Sequence, residues 1–146
     1  MKKNQLEYKG QSKTMTSNEQ AVATLLANYQ DALNQSDTDA VMRLYASDGV
    51  FMPQHSPSSV GADAVRKAYD AVFKAITLKV RFEVAEIHEI APNWVIARTN
   101  SAGTVKVKAT GGGGPEANQE LFVFQKVDGT WKIARYCFST TNPPGA

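Results

Sequence analysis

Apolar residues recur at steps of three and four positions in the first half of the chain, a period typical of amphipathic helices. The first such stripe begins after Ser17, which stands three residues before Gln20 as in a capping box. A second, short helix is predicted after Asp37 or Thr38, either of which can cap it. A third helix is predicted over 61–76. The pattern therefore predicts three helices in the N-terminal half.

After Ile76 the apolar period changes to two, which predicts β-strands. The first long strand changes phase near Ala85 and Glu86, as a β-bulge would produce. Strands are predicted over 50–52, 78–90, 94–108, 120–127 and 130–140. Because the helices come first and the antiparallel strands later, we expect an α+β fold in which three helices pack on one face of a bent antiparallel sheet.

The last two strands form a hairpin whose register follows from a two-residue turn at Asp128-Gly129. One face is then predicted to carry Glu120, Phe122, Phe124, Trp131, Ile133, Arg135 and Cys137. The other face is apolar as well. Because the helices cover only one face, we expect the second to pack against another copy of the chain. This homodimer interface comprises Leu121, Val123, Tyr136 and Phe138.

Composition and charge narrow the class of protein. The chain has 146 residues, 42% of them apolar, and a formal net charge of +2. This charge is too weak and too dispersed for a nucleic-acid-binding protein. No run approaches the roughly 18 apolar residues of a membrane span, and the N-terminal segment MKKNQLEYKG lacks the apolar core of a signal peptide. We therefore expect a cytoplasmic protein that binds neither nucleic acid nor membrane.

The scarcity of cysteine and histidine excludes proteins that depend on a structural metal site or an internal disulfide. The chain has one cysteine, Cys137, and two histidines, which are too few and too far apart for a structural metal site or an internal disulfide. We expect neither a metal nor a cofactor. The pattern predicts one domain over 16–140, preceded by a disordered or added extension over 1–15 and followed by a tail over 141–146.

Three segments carry a resemblance to a known family. They are YQDALNQSDTDAVMRLYASDGVFMP, WVIARTNSAGT and NQELFVFQKVDGTWKIARYCF. Together with the order of the elements, they resemble the nuclear-transport-factor-2-like superfamily, and most of all its SnoaL-like and ketosteroid isomerase-like subgroup of small bacterial proteins. The resemblance implies a cone-shaped α+β barrel with a deep cavity between helices and sheet. It does not imply one reaction, since the superfamily includes enzymes and non-catalytic modules.

The resemblance also implies candidate catalytic residues. Tyr29 matches the tyrosine that donates to the developing enolate oxygen in ketosteroid isomerases, and Glu120 matches their protonated aspartic acid. Their general base falls on Met52, before Pro53, and a thioether takes no proton. Steroid isomerisation is therefore not expected.

Two arginines are expected near Glu120. Arg98 and Asn100 are similar in position to the arginine and aspartate pair of limonene epoxide hydrolases, but Asn100 replaces the acid. Arg135 is expected beside Glu120 on the adjacent strand. Two interpretations stay open: a cavity acid whose protonation is set by an arginine, or a buried structural ion pair.

These residues define the expected site and its function. The catalytic candidates are Tyr29, Glu120, Arg98 and Arg135, and the substrate-binding candidates are Met52, His55, Tyr69, Phe73, Asn100, Phe122 and Trp131. The expected ligand is a small, largely apolar molecule with one polar oxygen or an acidic group. We expect a cofactor-independent isomerase, cyclase or hydrolase that acts by acid–base chemistry. The alternative is a non-catalytic module for ligand binding or dimeric assembly.

Overall fold

A computed structural model of the chain describes residues 14–144 and, before them, the short strand β1 (Glu7–Tyr8). The helices are α1 (Ser17–Asn34), α2 (Thr38–Leu44) and α3 (Ala62–Ala75). The remaining strands are β2 (Tyr45–Met52), β3 (Ser59–Val60), β4 (Ile76–Ala91), β5 (Trp94–Val107), β6 (Gly113–Val127) and β7 (Thr130–Thr140). The predicted α+β fold, with three helices packed on a sheet, is confirmed.

The predicted N-terminal extension falls largely outside the described residues, as do residues 145 and 146 of the predicted tail. Glu7 and Tyr8 of the extension form β1, which pairs in parallel with Glu83 and Val84 of β4. Met15 is partly buried and packs against the hydrophobic core. The chain is therefore attached to the rest of the fold before α1 begins.

The N-cap of α1 is Thr16 rather than Ser17. Thr16 Oγ1 accepts a hydrogen bond from Glu19 N at 3.1 Å, and Glu19 Oε1 accepts one from Thr16 N at 3.0 Å. The predicted capping box of Ser17 with Gln20 is thus wrong by one residue, because Thr16 and Glu19 satisfy the same motif one position earlier. Glu19 is buried, and its second oxygen accepts from Glu89 N at 3.0 Å. The cap therefore also ties α1 to the end of β4.

The seven strands form one mixed sheet in the order β1-β4-β5-β6-β7-β2-β3. Strands β4 to β7 are the predicted antiparallel meander. The sheet is mixed because β1 joins β4 and β2 joins β7 in parallel. A register shift between Val84 and Glu86 confirms the predicted bulge in β4.

Side chains of α1 protect the edge of β4 where β1 does not cover it. Asn34 donates to the carbonyl oxygen of Val80 at 2.9 Å and accepts from the N–H of the same residue at 2.8 Å. Gln30 is buried, and its Oε1 accepts from Phe82 N at 2.8 Å. These amides replace the partners that a neighbouring strand would supply to the edge. They also fix the position of α1 over the sheet.

The hairpin of β6 and β7 turns where predicted. Asp128 and Gly129 have φ values of 50° and 80°, and positive φ at both positions is what a type I′ turn requires. Near the turn the predicted register is confirmed as far as Phe124 opposite Ile133.

Further from the turn, β7 contains one extra residue, Ala134, at which the register shifts. Phe122 therefore pairs with Tyr136, and Glu120 pairs with Phe138. The two-residue turn alone predicts Arg135 opposite Phe122 and Cys137 opposite Glu120. Each of these partners lies one residue earlier in β7 than the observed one, so both predictions are wrong. A slip of one residue turns every later side chain to the opposite face of the sheet.

The bulge exchanges the two faces of the end of β7. Tyr136 is 4% exposed and faces the helices, and Phe138 packs against the same core. Arg135, predicted to face the helices, is exposed on the outer face instead. Tyr136 and Phe138 are thus wrongly assigned to the outer face. Leu121, which is 44% exposed, and the half-buried Val123 do lie there.

The core fills the space between the helices and the inner face of the sheet. Its largest fully buried side chains include Leu26, Tyr29, Tyr69, Ile87, Phe122, Phe124 and Ile133. None of the helices in the described residues is long and apolar enough to cross a membrane.

The role of Gln30 at the edge of β4 is testable. In Gln30→Met, the methionine side chain has a similar shape but no oxygen acceptor. The buried N–H of Phe82 therefore loses its hydrogen bond. We expect the free energy of unfolding, measured by urea denaturation, to fall by about 1–3 kcal/mol. The control Asn28→Ala, on the exposed side of α1, is expected to change it by less than about 0.5 kcal/mol. Equal losses in both variants would contradict the edge-protecting role.

The homodimer through the outer face of the sheet stays a prediction, now centred on Leu121. Leu121 has Arg98 and Cys137 as its cross-strand neighbours, and Ile96 and Val123 form the next row. We expect sedimentation at micromolar concentration to give a dimer for the wild type. Leu121→Glu should give a folded monomer, because two carboxylates would be buried in an isologous interface. A monomeric wild type would show the prediction to be wrong.

Candidate functional site

A cavity of about 140 Å³ lies between α1, α3 and the inner face of the sheet. Its apolar walls are formed by Leu33, Phe51, Pro53, Val72, Ile76, Leu78, Val80, Phe82 and Phe138. Its polar groups belong to Tyr29, Tyr69, Ser101, Glu116, Asn118, Glu120 and Tyr136. Apolar walls with a few polar groups are the usual form of a small-molecule site.

Glu120 is a buried carboxyl in the wall of this cavity, with 5% of its surface exposed. The pairing of β5 with β6 places Thr99 directly opposite Glu120 and Ser101 two residues further along β5. Thr99 Oγ1 donates to Oε1 at 2.5 Å, and Ser101 Oγ donates to Oε2 at 2.5 Å. The ion pairs found among the described residues all lie elsewhere. Each oxygen of Glu120 therefore has one neutral donor, and the described residues supply no counter-ion.

Burial raises the pKa of Glu120 to about 7, because the charged form loses its hydration in the apolar cavity. The hydrogen bonds from Ser101 and Thr99 favour the ionised form and lower this pKa, whereas repulsion from Glu116 raises it further. Near neutral pH both protonation states are populated. Glu120 can therefore act as a proton acceptor or a proton donor.

Three tyrosine hydroxyls form a chain beside the cavity. Tyr69 Oη lies 2.7 Å from Tyr29 Oη and 2.7 Å from Tyr45 Oη. Burial raises the pKa of all three hydroxyls, so they stay protonated at neutral pH. Tyr136 is a further hydrogen-bond partner of Tyr29. When Tyr69 and Tyr136 both donate to Tyr29, the hydroxyl proton of Tyr29 is available to a ligand.

The aromatic wall of the cavity includes a residue that replaces a predicted one. Phe51 stacks on Tyr69 with 4.6 Å between ring centroids and on Tyr136 with 5.7 Å. Met52, the predicted cavity residue, is 36% exposed, because successive side chains of a strand point to opposite faces. The prediction for Met52 is therefore wrong by one residue, and Phe51 is in its place.

Both arginine candidates lie outside the cavity. Arg98 is exposed, and its Nε donates to Glu86 Oε2. Arg135 is exposed, and its Nη1 donates to the carbonyl oxygen of Ala134 at 2.6 Å. The expected ion pair of Glu120 with Arg135 does not form, since the bulge in β7 turns that arginine to the outer face. This arrangement rules out the structural ion pair. It also corrects the other interpretation, because Glu120 is a cavity acid whose protonation is not set by either arginine.

The substrate-binding candidates are scattered. Tyr69 is the one that lines the cavity. His55 is exposed in the loop after β2, and Asn100 is exposed on the outer face because it is two residues from Arg98 in β5. The buried candidates Phe73, Phe122 and Trp131 belong to the hydrophobic core and do not line the cavity.

Several residues that line the cavity or contact Glu120 were missed by sequence reasoning. Thr99 and Ser101 share the phase of the buried residues Val95 and Ala97 in β5, so this alternation was a usable signal. Glu116 and Asn118 share the phase of Glu120 in β6 in the same way. The same alternation could not identify Tyr136 and Phe138, because the bulge in β7 reverses the face of the sheet on which their side chains lie.

In the part of the chain that the structure describes, no group of three or more His, Cys, Asp or Glu side chains is placed to hold a metal ion. The polar groups that line the cavity are two carboxyls, three phenols, one hydroxyl and one amide.

Comparisons with known proteins agree with this geometry. The family model for the SnoaL-like domain matches residues 26–136. A ketosteroid isomerase-like protein from Erwinia carotovora atroseptica is 33% identical and superposes with a TM-score of 0.85, covering 88% of this chain and 100% of that one. A nuclear transport factor 2-like superfamily protein from Salmonella enterica serovar Typhimurium shares the fold at 16% identity, with a TM-score of 0.75 and coverage of 88% and 94%. None of the curated proteins matches the sequence.

The raised pKa of Glu120 predicts how stability depends on pH. Between about 4.5 and 7 the folded chain holds a proton that the unfolded chain releases, so stability falls as pH rises through this range and is constant above it. We expect the wild type to lose about 3 kcal/mol across this range relative to Glu120→Gln. Urea denaturation at several pH values measures this difference, and a carboxyl resonance of Glu120 titrating near 4.5 would contradict it.

Proposed function

The chain belongs to the SnoaL-like domain family, and we propose that it is a cofactor-independent enzyme that moves a proton next to the carbonyl group of a small, largely apolar molecule. Isomerisation and aldol-type cyclisation are the reactions of this kind. They require a base, a donor for the enolate oxygen and exclusion of water.

The observation that carries the proposal is a buried carboxyl in the wall of the cavity that has no counter-ion among the residues the structure describes. Glu120 is held by two neutral hydroxyl donors, and its pKa of about 7 lies where a general base is most effective. A structural ion pair would have neutralised this carboxyl and lowered its pKa. Each of its oxygens also keeps a lone pair that Thr99 and Ser101 do not use.

The tyrosine chain supplies the second requirement. In the proposed step Glu120 takes a proton from the carbon next to the carbonyl, and the electron pair of that C–H bond moves toward the carbonyl oxygen. Tyr29 donates a hydrogen bond to this oxygen as negative charge develops on it. Glu120 then returns the proton to carbon, so the step is balanced without a cofactor. Both residues line the same cavity, and the charge of Glu120 raises the pKa of Tyr29.

The walls of the cavity favour a neutral substrate of about one ring. The described lining residues include no Lys, Arg or His, so the expectation of an acidic group on the ligand loses its basis. A cavity of about 140 Å³ is close in size to an engineered cavity of about 150 Å³ that holds benzene. A single-ring ketone fits this volume, whereas a four-ring steroid exceeds it.

One observation favours a non-catalytic ligand-binding module. Thr99 and Ser101 already satisfy both oxygens of Glu120, as they would in a carboxyl that serves only the structure. Such a module would bind the same neutral ligands and would turn none of them over. Turnover therefore separates the two functions.

The test is the exchange of the α-protons of cyclohexanone in deuterium oxide, followed by NMR. We expect catalysis by the wild type, with kcat/KM rising with pH to a plateau and a midpoint near 7, as the base ionises. Glu120→Gln should lower kcat/KM by about 100-fold or more, because it removes the base. Tyr29→Phe should lower it by about 100-fold, because it removes the donor to the enolate oxygen.

A matched control is Arg98→Gln, since Arg98 lies on the outer face and pairs with Glu86. We expect this variant to exchange the ketone at the wild-type rate. Equal rates in the wild type, Glu120→Gln and Tyr29→Phe would show the proposed mechanism to be wrong. Binding without any exchange would favour the non-catalytic module.

A further inference from the structure

Strand β6 carries a stripe of polar side chains along the cavity wall. Glu116, Asn118 and Glu120 alternate along β6 and all line the cavity. Asn118 is only 8% exposed, and Glu116 is half-buried. Only Glu120 has a role in the proposed proton transfer. A buried amide beside a second carboxyl therefore needs its own explanation.

The orientation of the Asn118 amide follows from its partner. A carboxylate can only accept, so the amide nitrogen must face Glu116, and Nδ2 donates to Glu116 Oε2 at 2.8 Å. The carbonyl oxygen Oδ1 must then point elsewhere. Among the described residues no donor reaches it, and it is not sealed among protein atoms. Asn118 lines the cavity, so a ligand there can reach this accessible acceptor.

We propose that Asn118 Oδ1, together with the carboxylate of Glu116, forms a second polar subsite that binds a hydrogen-bond-donating substituent of the substrate, a hydroxyl or amino group. The inference rests on the proposed function, and it narrows the substrate class to small cyclic ketones with such a substituent. Both groups of the subsite are acceptors, and the carboxylate repels an acidic substituent.

The spacing of the stripe sets where the substituent must be. Side chains two residues apart on one face of a strand are about 7 Å apart. Asn118 and Glu120 are two residues apart in β6, so a six-membered ring with its α-carbon at Glu120 and its carbonyl oxygen at Tyr29 can place a hydroxyl on its far side at Asn118. The substrate class is therefore a 4-substituted ring rather than a 2-substituted one.

The experiment compares three ketones by NMR titration: cyclohexanone, 4-hydroxycyclohexanone and 4-oxocyclohexanecarboxylate. For the wild type we expect the hydroxyketone to bind about tenfold more tightly than cyclohexanone. The carboxylate should bind about tenfold more weakly than cyclohexanone, because Glu116 repels it. Each result is read as a ratio of two dissociation constants within one protein, so a general change in the cavity cancels.

Two variants test the two groups of the subsite separately. Asn118→Leu should bring the ratio of hydroxyketone to cyclohexanone affinity to about one, because the acceptor is lost. Glu116→Gln should remove most of the discrimination against the carboxylate, because the charge is lost. Asp70→Asn, an exposed change on α3, is the matched control and should keep both ratios. If Asn118→Leu does not fold, Glu116→Gln still tests the subsite.

The outcomes separate this inference from the proposed function. If cyclohexanone binds and is exchanged but the hydroxyl gives no advantage, the subsite is wrong and the proton-transfer function stands. A hydroxyl advantage that persists in both variants also overturns the subsite. An advantage lost in Asn118→Leu, without exchange of any ketone, supports the subsite and contradicts the catalytic function. If none of the three ketones binds, both proposals are wrong.

Discussion

One extra residue in β7 controls the composition of the cavity. The bulge at Ala134 turns Tyr136 and Phe138 toward the helices and Arg135 toward the outer face. Without it, an arginine would stand beside Glu120 and neutralise it. The aromatic wall that Tyr136 and Phe138 complete with Phe51 would also be lost. Because strand side chains alternate, a single inserted residue is enough to exchange a cation for a phenol.

The electrostatics of the site follow from this exchange. A carboxyl in an apolar cavity with only neutral donors has a raised pKa, and the tyrosines around it stay protonated for the same reason, loss of hydration. The cavity thus combines a group that ionises near neutral pH with groups that only donate hydrogen bonds. This combination is the one that the proposed enolate chemistry requires. It also destabilises the folded chain, because the free energy of unfolding falls as the pH rises toward the pKa of Glu120.

Much of the architecture followed from local patterns. The period of three to four positions identified three helices, the change to a period of two identified the meander, and the phase slip near Ala85 located the bulge in β4. The turn at Asp128-Gly129 was readable because its residue types suit positive φ. The resemblance to a family added Tyr29 and Glu120, and both line the cavity. Each of these signals depends on residues close together in the chain.

The partners of Glu120 depended on contacts between distant residues. The sequence around Val123, Phe124 and Ala134 contains no signal for a bulge. The alternation of inward-facing and outward-facing residues in β7 could therefore not be followed past Ala134. Whether Arg135 lies beside Glu120, and hence the pKa of Glu120, depended on that phase. Residue types and their period establish that the chain folds as helices on a sheet around a buried carboxyl. Which side chains meet that carboxyl was settled by the pairing of β5, β6 and β7, because strand register is a property of two strands and not of one.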